Sequence, residues 1–185
     1  RQGHKVGLFN NSKKNDLFIG ESLTPALVSI LKELGIEEDV KKESVLKKGV
    51  TVWVDENIHA DASFDNGLGD LPAYSYNTNR KELDNLLMEK AVSEGVHLFN
   101  VMASVRVEGD RVLLSDKTLE DCNGFYNSQP DFVIDATGRR RLLSKALNLH
   151  SEKGERNDTA LFVHVKEQIF KNNYGHLHMH LASKG

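Results

Sequence analysis

The sequence has one cysteine, Cys122, in 185 residues. An intrachain disulfide is excluded, and a reducing, cytoplasmic setting fits such a chain better than an oxidising one. No apolar run approaches the ~20 residues of a membrane-spanning helix, and no signal-peptide pattern is present. Positive charge is not in excess. A formal net charge of −3 gives no basis for binding nucleic acid or another polyanion. The short basic clusters Lys13-Lys14, Lys41-Lys42, Lys47-Lys48 and Arg139-Arg140-Arg141 are scattered and read mainly as solvated faces. The chain also lacks a Gly-x-Gly-x-x-Gly fingerprint, a nucleophile elbow, a Cys/His catalytic arrangement and internal repeats. What it does have is 39% apolar and 28% charged residues, the composition of a soluble globular chain long enough to bury a core.

Periodicity gives an order of elements. Lys5–Phe9 reads as a short buried strand. Thr24 is a candidate N-cap and Pro25 a first helical residue. Leu27, Ile30, Leu31 and Leu34 then make an apolar stripe ended by Gly35. Glu37 to Glu43 reads as an acidic linker, Val50–Val54 as a strand, and 55–72 as a long loop with a turn at Asp65-Asn66-Gly67. Ala73–Asn77 alternates like a strand. Asn79 and Glu82 form a capping box for a helix with Leu83, Leu86, Leu87 and Ala91 on one face, ended by Gly95. Val96–Phe99 is the next strand. Gly109-Asp110 turns a hairpin between 104–108 and 111–115. Asp131–Asp135 has the near-continuous apolarity of a parallel-sheet strand, followed by Ala136-Thr137-Gly138 and a basic helix from Arg139 to about Leu147. Residues 160–165 and 176–181 alternate like two further strands. This order predicts an α/β, Rossmann-like nucleotide-binding domain with an inserted antiparallel ribbon and a late β region. Residues 1–150 would be the partial binding domain, and 151–185 the start of a β-rich substrate region.

Chemistry concentrates in a few places. At Asp135-Ala136-Thr137-Gly138, Gly138 permits close backbone approach, and free N–H groups at a helix start favour a phosphate or ribose oxygen; one of the following arginines could pair a phosphate there. The alternative is that Asp135 only caps the turn. Arg80 opens a helix, where the macrodipole disfavours a cation, so it either faces an anion or is solvated. Gly20-Glu21-Ser22 is an irregular polar loop feeding a well-specified helix, a common binding wall. Lys47 and Lys48 precede the Trp53 strand; a lysine in a low-dielectric pocket can lose its proton and act as acid or nucleophile, whereas solvent-facing lysines do neither. His176, His178 and His180 share a strand face, but no carboxylate or cysteine lies near them in sequence and Leu177 and Met179 account for a buried face, so no metal site is assigned.

Four stretches, in order, carry a resemblance: Gly3–Phe9, Ile19–Pro25 (Gly-Glu-Ser-Leu-x-Pro), Asn79-Arg80 with Leu83-Asp84 and Leu86-Leu87, and Asp131–Arg139 (Asp-Ala-Thr-Gly-Arg). Together they resemble the FAD-dependent monooxygenase-like superfamily and, within it, the flavin-dependent halogenases. The resemblance implies FAD as cofactor, contacted by Gly20, Glu21, Ser22, Arg80, Asp135 and Gly138. It also implies a catalytic lysine at Lys47, with Lys48 as the alternative register. The implied reaction is oxidation of halide at the expense of reduced flavin and O₂, with the lysine holding or relaying hypohalous acid to a small aromatic substrate. A separate flavin reductase would supply the reduced cofactor. The ribose-binding acid of the family is Asn10 here. The family's fingerprint and first strand would precede Arg1, and its Trp-x-Trp-x-Ile-Pro segment would follow Gly185, so the chain reads as the middle of a longer enzyme. Two other readings share most of these residues: a flavin hydroxylase or geranylgeranyl-reductase-like enzyme, and a truncated, non-catalytic fragment.

Overall fold

The computed structural model describes residues 3–10, 19–55, 57–66, 69–152, 154 and 176–180. In chain order the strands are β1 (Gly7–Phe9), β2 (Ser44–Lys47), β3 (Gly49–Trp53), β4 (His59–Ser63), β5 (Ser75–Thr78), β6 (His97–Phe99), β7 (Val105–Glu108), β8 (Arg111–Leu114) and β9 (His176–His180). The helices are α1 (Pro25–Leu34), α2 (Glu37–Lys42), α3 (Arg80–Ser93), α4 (Asp116–Asp121) and α5 (Leu142–Ala146). They fall into two units, one drawn from 1–14 and 95–163, the other from 15–94 and 164–185.

In the unit drawn from 15–94 and 164–185, Thr24 takes the extended N-cap conformation and Pro25 opens α1. The Thr24 carbonyl accepts the Leu27 N–H at 3.0 Å, while its hydroxyl caps nothing. Gly35, at φ 69°, ends the helix. Its N–H bonds the Lys32 carbonyl, and Ile36 N–H returns to Leu31. A left-handed glycine makes this paired closure possible, and the apolar contact that accompanies it is Ile36 on Leu31. The buried face is Pro25, Val28 and Leu31, whereas Ile30 is 50% exposed. Of the expected stripe, Leu31 is buried and Leu27 and Leu34 pack against the core, while Ile30 falls outside it and Val28 takes its place beside Leu23, Ile36, Val40, Tyr76 and Leu83. The acidic stretch after Gly35 is α2 rather than a linker. Three acids in its first turn and two lysines in its last complement the helix dipole, and Val40 joins the core.

β2 was not legible as a strand, yet it pairs antiparallel with β5, Lys47 opposite Ser75. The far edge of β5 is taken by the extended segment just before α1: Ser22 bridges Asn77, Leu23 N–H donates to Tyr76, and Thr78 N–H donates to Glu21. β3 is flanked by β4, antiparallel, and by β9, parallel. β4 replaces part of the expected loop; Asp55 accepts the N–H groups of Asn57 and Ile58, both at 2.8 Å, and so folds the connection back. The expected turn survives as a short 3₁₀ turn at Phe64–Asn66. Asn79 caps α3, its side chain accepting the Lys81 N–H at 3.0 Å.

In the unit drawn from 1–14 and 95–163, β1 and β6 pair in parallel. Gly7 is required there: a β-carbon would lie 2.5 Å from the Tyr126 hydroxyl and 2.9 Å from the Phe99 ring. β7 and β8 form the expected hairpin about Gly109. Asp131–Asp135 is not a strand. No described strand runs beside it to supply a ladder, and Phe132 and Ile134 are 88% and 89% exposed. The basic helix also begins late: Gly138–Arg140 is a 3₁₀ turn, Arg141 adopts φ 50°, and α5 follows. The strand expected at 160–165 lies outside the described residues.

Candidate active site

Lys47 and the Gly20–Ser22 loop are brought together although 25 residues separate Lys47 from Ser22. β2 ends at Lys47, whose side chain is 3% exposed, the one charged residue buried among those described. Its Nζ donates to Ser22 Oγ at 2.8 Å and to the Leu23 carbonyl, and lies 5.4 Å from the centre of the Phe64 ring. Burial pushes the amine below its ordinary pKa, since desolvation penalises the charged form. Lys48, the alternative register, points outward and is exposed. A buried amine anchored by two acceptors, with its pKa lowered, is chemically able to hold a small polar species or to offer a neutral nitrogen.

The loop's conformation depends on Gly20, at φ 103°. A β-carbon there would meet Arg80 Nη1 at 2.8 Å. Arg80 itself bonds Asp84 through Nε at 2.7 Å, one helical turn on, and Nη1 reaches the Ile19 carbonyl at 3.4 Å. Its cation at a helix start is thus matched by a carboxylate at i+4, and about two-fifths of the side chain remains open to solvent. Glu21 is half-buried and its carboxylate accepts the Gly20 N–H at 3.2 Å.

Asp135 behaves as a capping residue. Oδ1 accepts the Thr137 N–H at 2.9 Å and the Thr137 hydroxyl at 2.6 Å, and Oδ2 accepts the Leu143 N–H at 2.8 Å. The Thr137 hydroxyl and the two backbone donors hold its carboxyl below the ordinary range. Gly138, at φ 57°, has open space where a β-carbon would sit. The strand histidines are engaged with protein: His176 Nδ1 is 3.1 Å from the Thr51 hydroxyl, and His178 Nδ1 accepts from the Trp53 indole at 3.3 Å. His180 stacks on Trp53. Met179, expected inside, is half exposed.

No family model matches the chain. It is 25% identical over 150 residues to tryptophan 2-halogenase of Chondromyces crocatus, covering 78% of this chain and 27% of that protein. It is 24% identical over 181 residues to the 1H-pyrrole-2-carbonyl-(peptidyl-carrier protein) chlorinase of Pseudomonas fluorescens, covering 82% and 38%. Among solved structures, the flavin-dependent halogenase CmlS matches with a TM-score of 0.62 at 29% identity, over 79% of this chain and 27% of that one. The chain is thus similar to flavin-dependent halogenases, at low identity over most of its length. It shares with them a mixed α/β, Rossmann-like fold. The chain spans less than two-fifths of the length of either curated protein, and no helix among its described residues is long and apolar enough to cross a membrane.

Sequence reasoning missed Phe64, whose ring lies 5.4 Å from the Lys47 amine, Ser75, opposite Lys47 in the β2–β5 ladder, and Asn77 on the same face of β5. Phe64 fell within an expected loop, and Ser75 and Asn77 were taken only as strand residues. The signal for the last two was present: in Tyr74-Ser75-Tyr76-Asn77 the aromatics claim one face, so the polar pair must share the other.

Proposed function

We propose that this chain carries the lysine-bearing part of an FAD-dependent halogenase, which uses reduced flavin, O₂ and halide to halogenate a small aromatic substrate. The observation that supports this reading is the Lys47–Ser22 contact: a desolvated amine bound to the Gly-Glu-Ser loop, where the resemblance expects the catalytic lysine to lie. Bound FAD, reduced and reacted with O₂, supplies the two-electron oxidation of halide. The residues present fit such a cofactor. Gly20 leaves no side chain beside Arg80, the outer edge of Arg80 is open, and Gly138 keeps its backbone uncovered. Gly20, Glu21, Ser22 and Arg80 are proposed contacts, as are Gly138 and Asp135, the latter through the turn it holds. Residues 1–150 then serve as part of the FAD-binding domain and 151–185 as the start of the substrate region.

Lys47 holds hypohalous acid through an N–H not committed to Ser22 or Leu23, and directs it at the aromatic ring. The test uses the full-length protein with FAD, a separate flavin reductase, halide, and a phenol, pyrrole or indole. Halide-dependent loss of the substrate is expected. Lys47→Ala should lower halogenation by about 10²-fold or more, the range for loss of a general acid, while Lys48→Ala should leave it unchanged. Equal activity in both variants and wild type would remove Lys47 from the mechanism.

A further inference from the structure

Residues directly opposite one another in an antiparallel pair place their side chains on the same face. Lys47 is opposite Ser75, and Ser22 is opposite Asn77. Ser75 and Asn77, two apart on β5, also share a face. Ser22, Lys47, Ser75 and Asn77 therefore stand on one side of the ribbon, and the core residues Tyr76 and Leu23 on the other. The Ser75 side chain is fully buried, yet its Oγ has no hydrogen-bond partner among the described residues; Asn77 Oδ1 is buried and likewise unpartnered. Native folds rarely leave such groups unpaired, so each calls for a water or a ligand to meet it. Both stand on the face of Lys47, the one buried lysine among the described residues, and the Phe64 ring lies 5.4 Å from the same amine.

We propose that Ser75 and Asn77 are positioning residues that complete, with Lys47, a subsite for a small neutral hydroxylic oxidant, hypohalous acid. The inference rests on the halogenase reading given above. Its chemistry follows from the groups present. A lysine N–H and the Ser75 hydroxyl both donate to the ligand oxygen, and the ligand O–H donates to Asn77 Oδ1. A halide ion would satisfy the two donors but would face the Asn77 carbonyl oxygen, which repels an anion. The neutral acid satisfies all three. Ser22 and the Leu23 carbonyl keep the amine from swinging away.

A flavin-free experiment tests the subsite directly. Limiting hypochlorous acid is added to the purified protein, and thiol-reversible N-chlorination of Lys47 is measured against that of exposed Lys48 by peptide mass spectrometry. In this step the amine nitrogen takes chlorine: the N–Cl bond forms, the O–Cl bond breaks, and the amine proton leaves with hydroxide as water. Ser75→Ala and Asn77→Ala should each lower the Lys47-to-Lys48 ratio by roughly five-fold, the size of one hydrogen bond, with unchanged circular dichroism. Asn77 is only half-buried, so its variant remains informative if Ser75→Ala does not fold. An unchanged ratio in the folded variants overturns the proposal. In the complete enzyme, the same variants should oxidise halide at the wild-type rate but lose it to a soluble scavenger, so that substrate halogenation falls several-fold. Halide oxidation and substrate halogenation both at wild-type levels would again remove the subsite. A wild-type enzyme that oxidises no halide would remove the halogenase reading, a result distinct from the chloramine ratio.

Discussion

Lys47 is where the physics of a single side chain does most to define the molecule. From sequence, Lys47 and Lys48 are equivalent, because a strand's period of two assigns faces only once its partner is known. Pairing with Ser75 turns Lys47 inward and Lys48 out. Gly20 is equally specific. Its positive φ is one that L side chains rarely adopt, and a β-carbon would stand 2.8 Å from Arg80 Nη1, which would have to shift. Gly20→Ala should cost about 1–3 kcal/mol, the usual range for forced backbone strain, read as a lower urea midpoint at constant m-value. Asp135 marks a choice that motif reading left open: the Asp-Ala-Thr-Gly spacing allowed a cap or a ligand contact, and in the structure the carboxylate's two oxygens take three local donors.

Elements with a strong internal signal were legible, and those defined by a partner were not. α1, α3 and the β7–β8 hairpin follow from caps, a left-handed glycine and a two-residue turn. α2 was hidden because only Val40 of its six residues is buried, leaving no stripe to read. β2 and β4 exist by virtue of β5 and β3. Asp131–Asp135 errs in the other direction: its composition is that of an interior strand, but no described strand lies alongside it. The buried face of α1 has a direct check. Leu31→Ala should destabilise by about 2–5 kcal/mol through loss of apolar contact and the cavity left behind, while Ile30→Ala should stay within about 0.5 kcal/mol, as measured by denaturant unfolding. Equal effects would place Ile30 in the buried face.

For the molecule as a whole, the buried Lys47 is a stability cost. Its pKa is lowered on folding, so between the folded value and the unfolded value of about 10.4 the unfolded chain binds more protons, and stability rises with pH across that window. Below the window the full penalty of a buried ammonium applies. Lys47→Met should therefore leave the melting temperature at neutral pH unchanged or raised, since exchanging a buried charge for an apolar side chain is often neutral or stabilising. Any gain should shrink as pH approaches 10.4, while halogenation is lost. A different consequence attaches to Phe132 and Ile134. A β-competent run with both apolar side chains in water is a template on which a second chain can add, and Asp131 and Asp135 flank it as charged gatekeepers. Colloidal behaviour should then respond to this stretch: Asp131→Asn is expected to raise light scattering at fixed concentration and Phe132→Ser to suppress it, so that solubility can be altered at residues apart from Lys47.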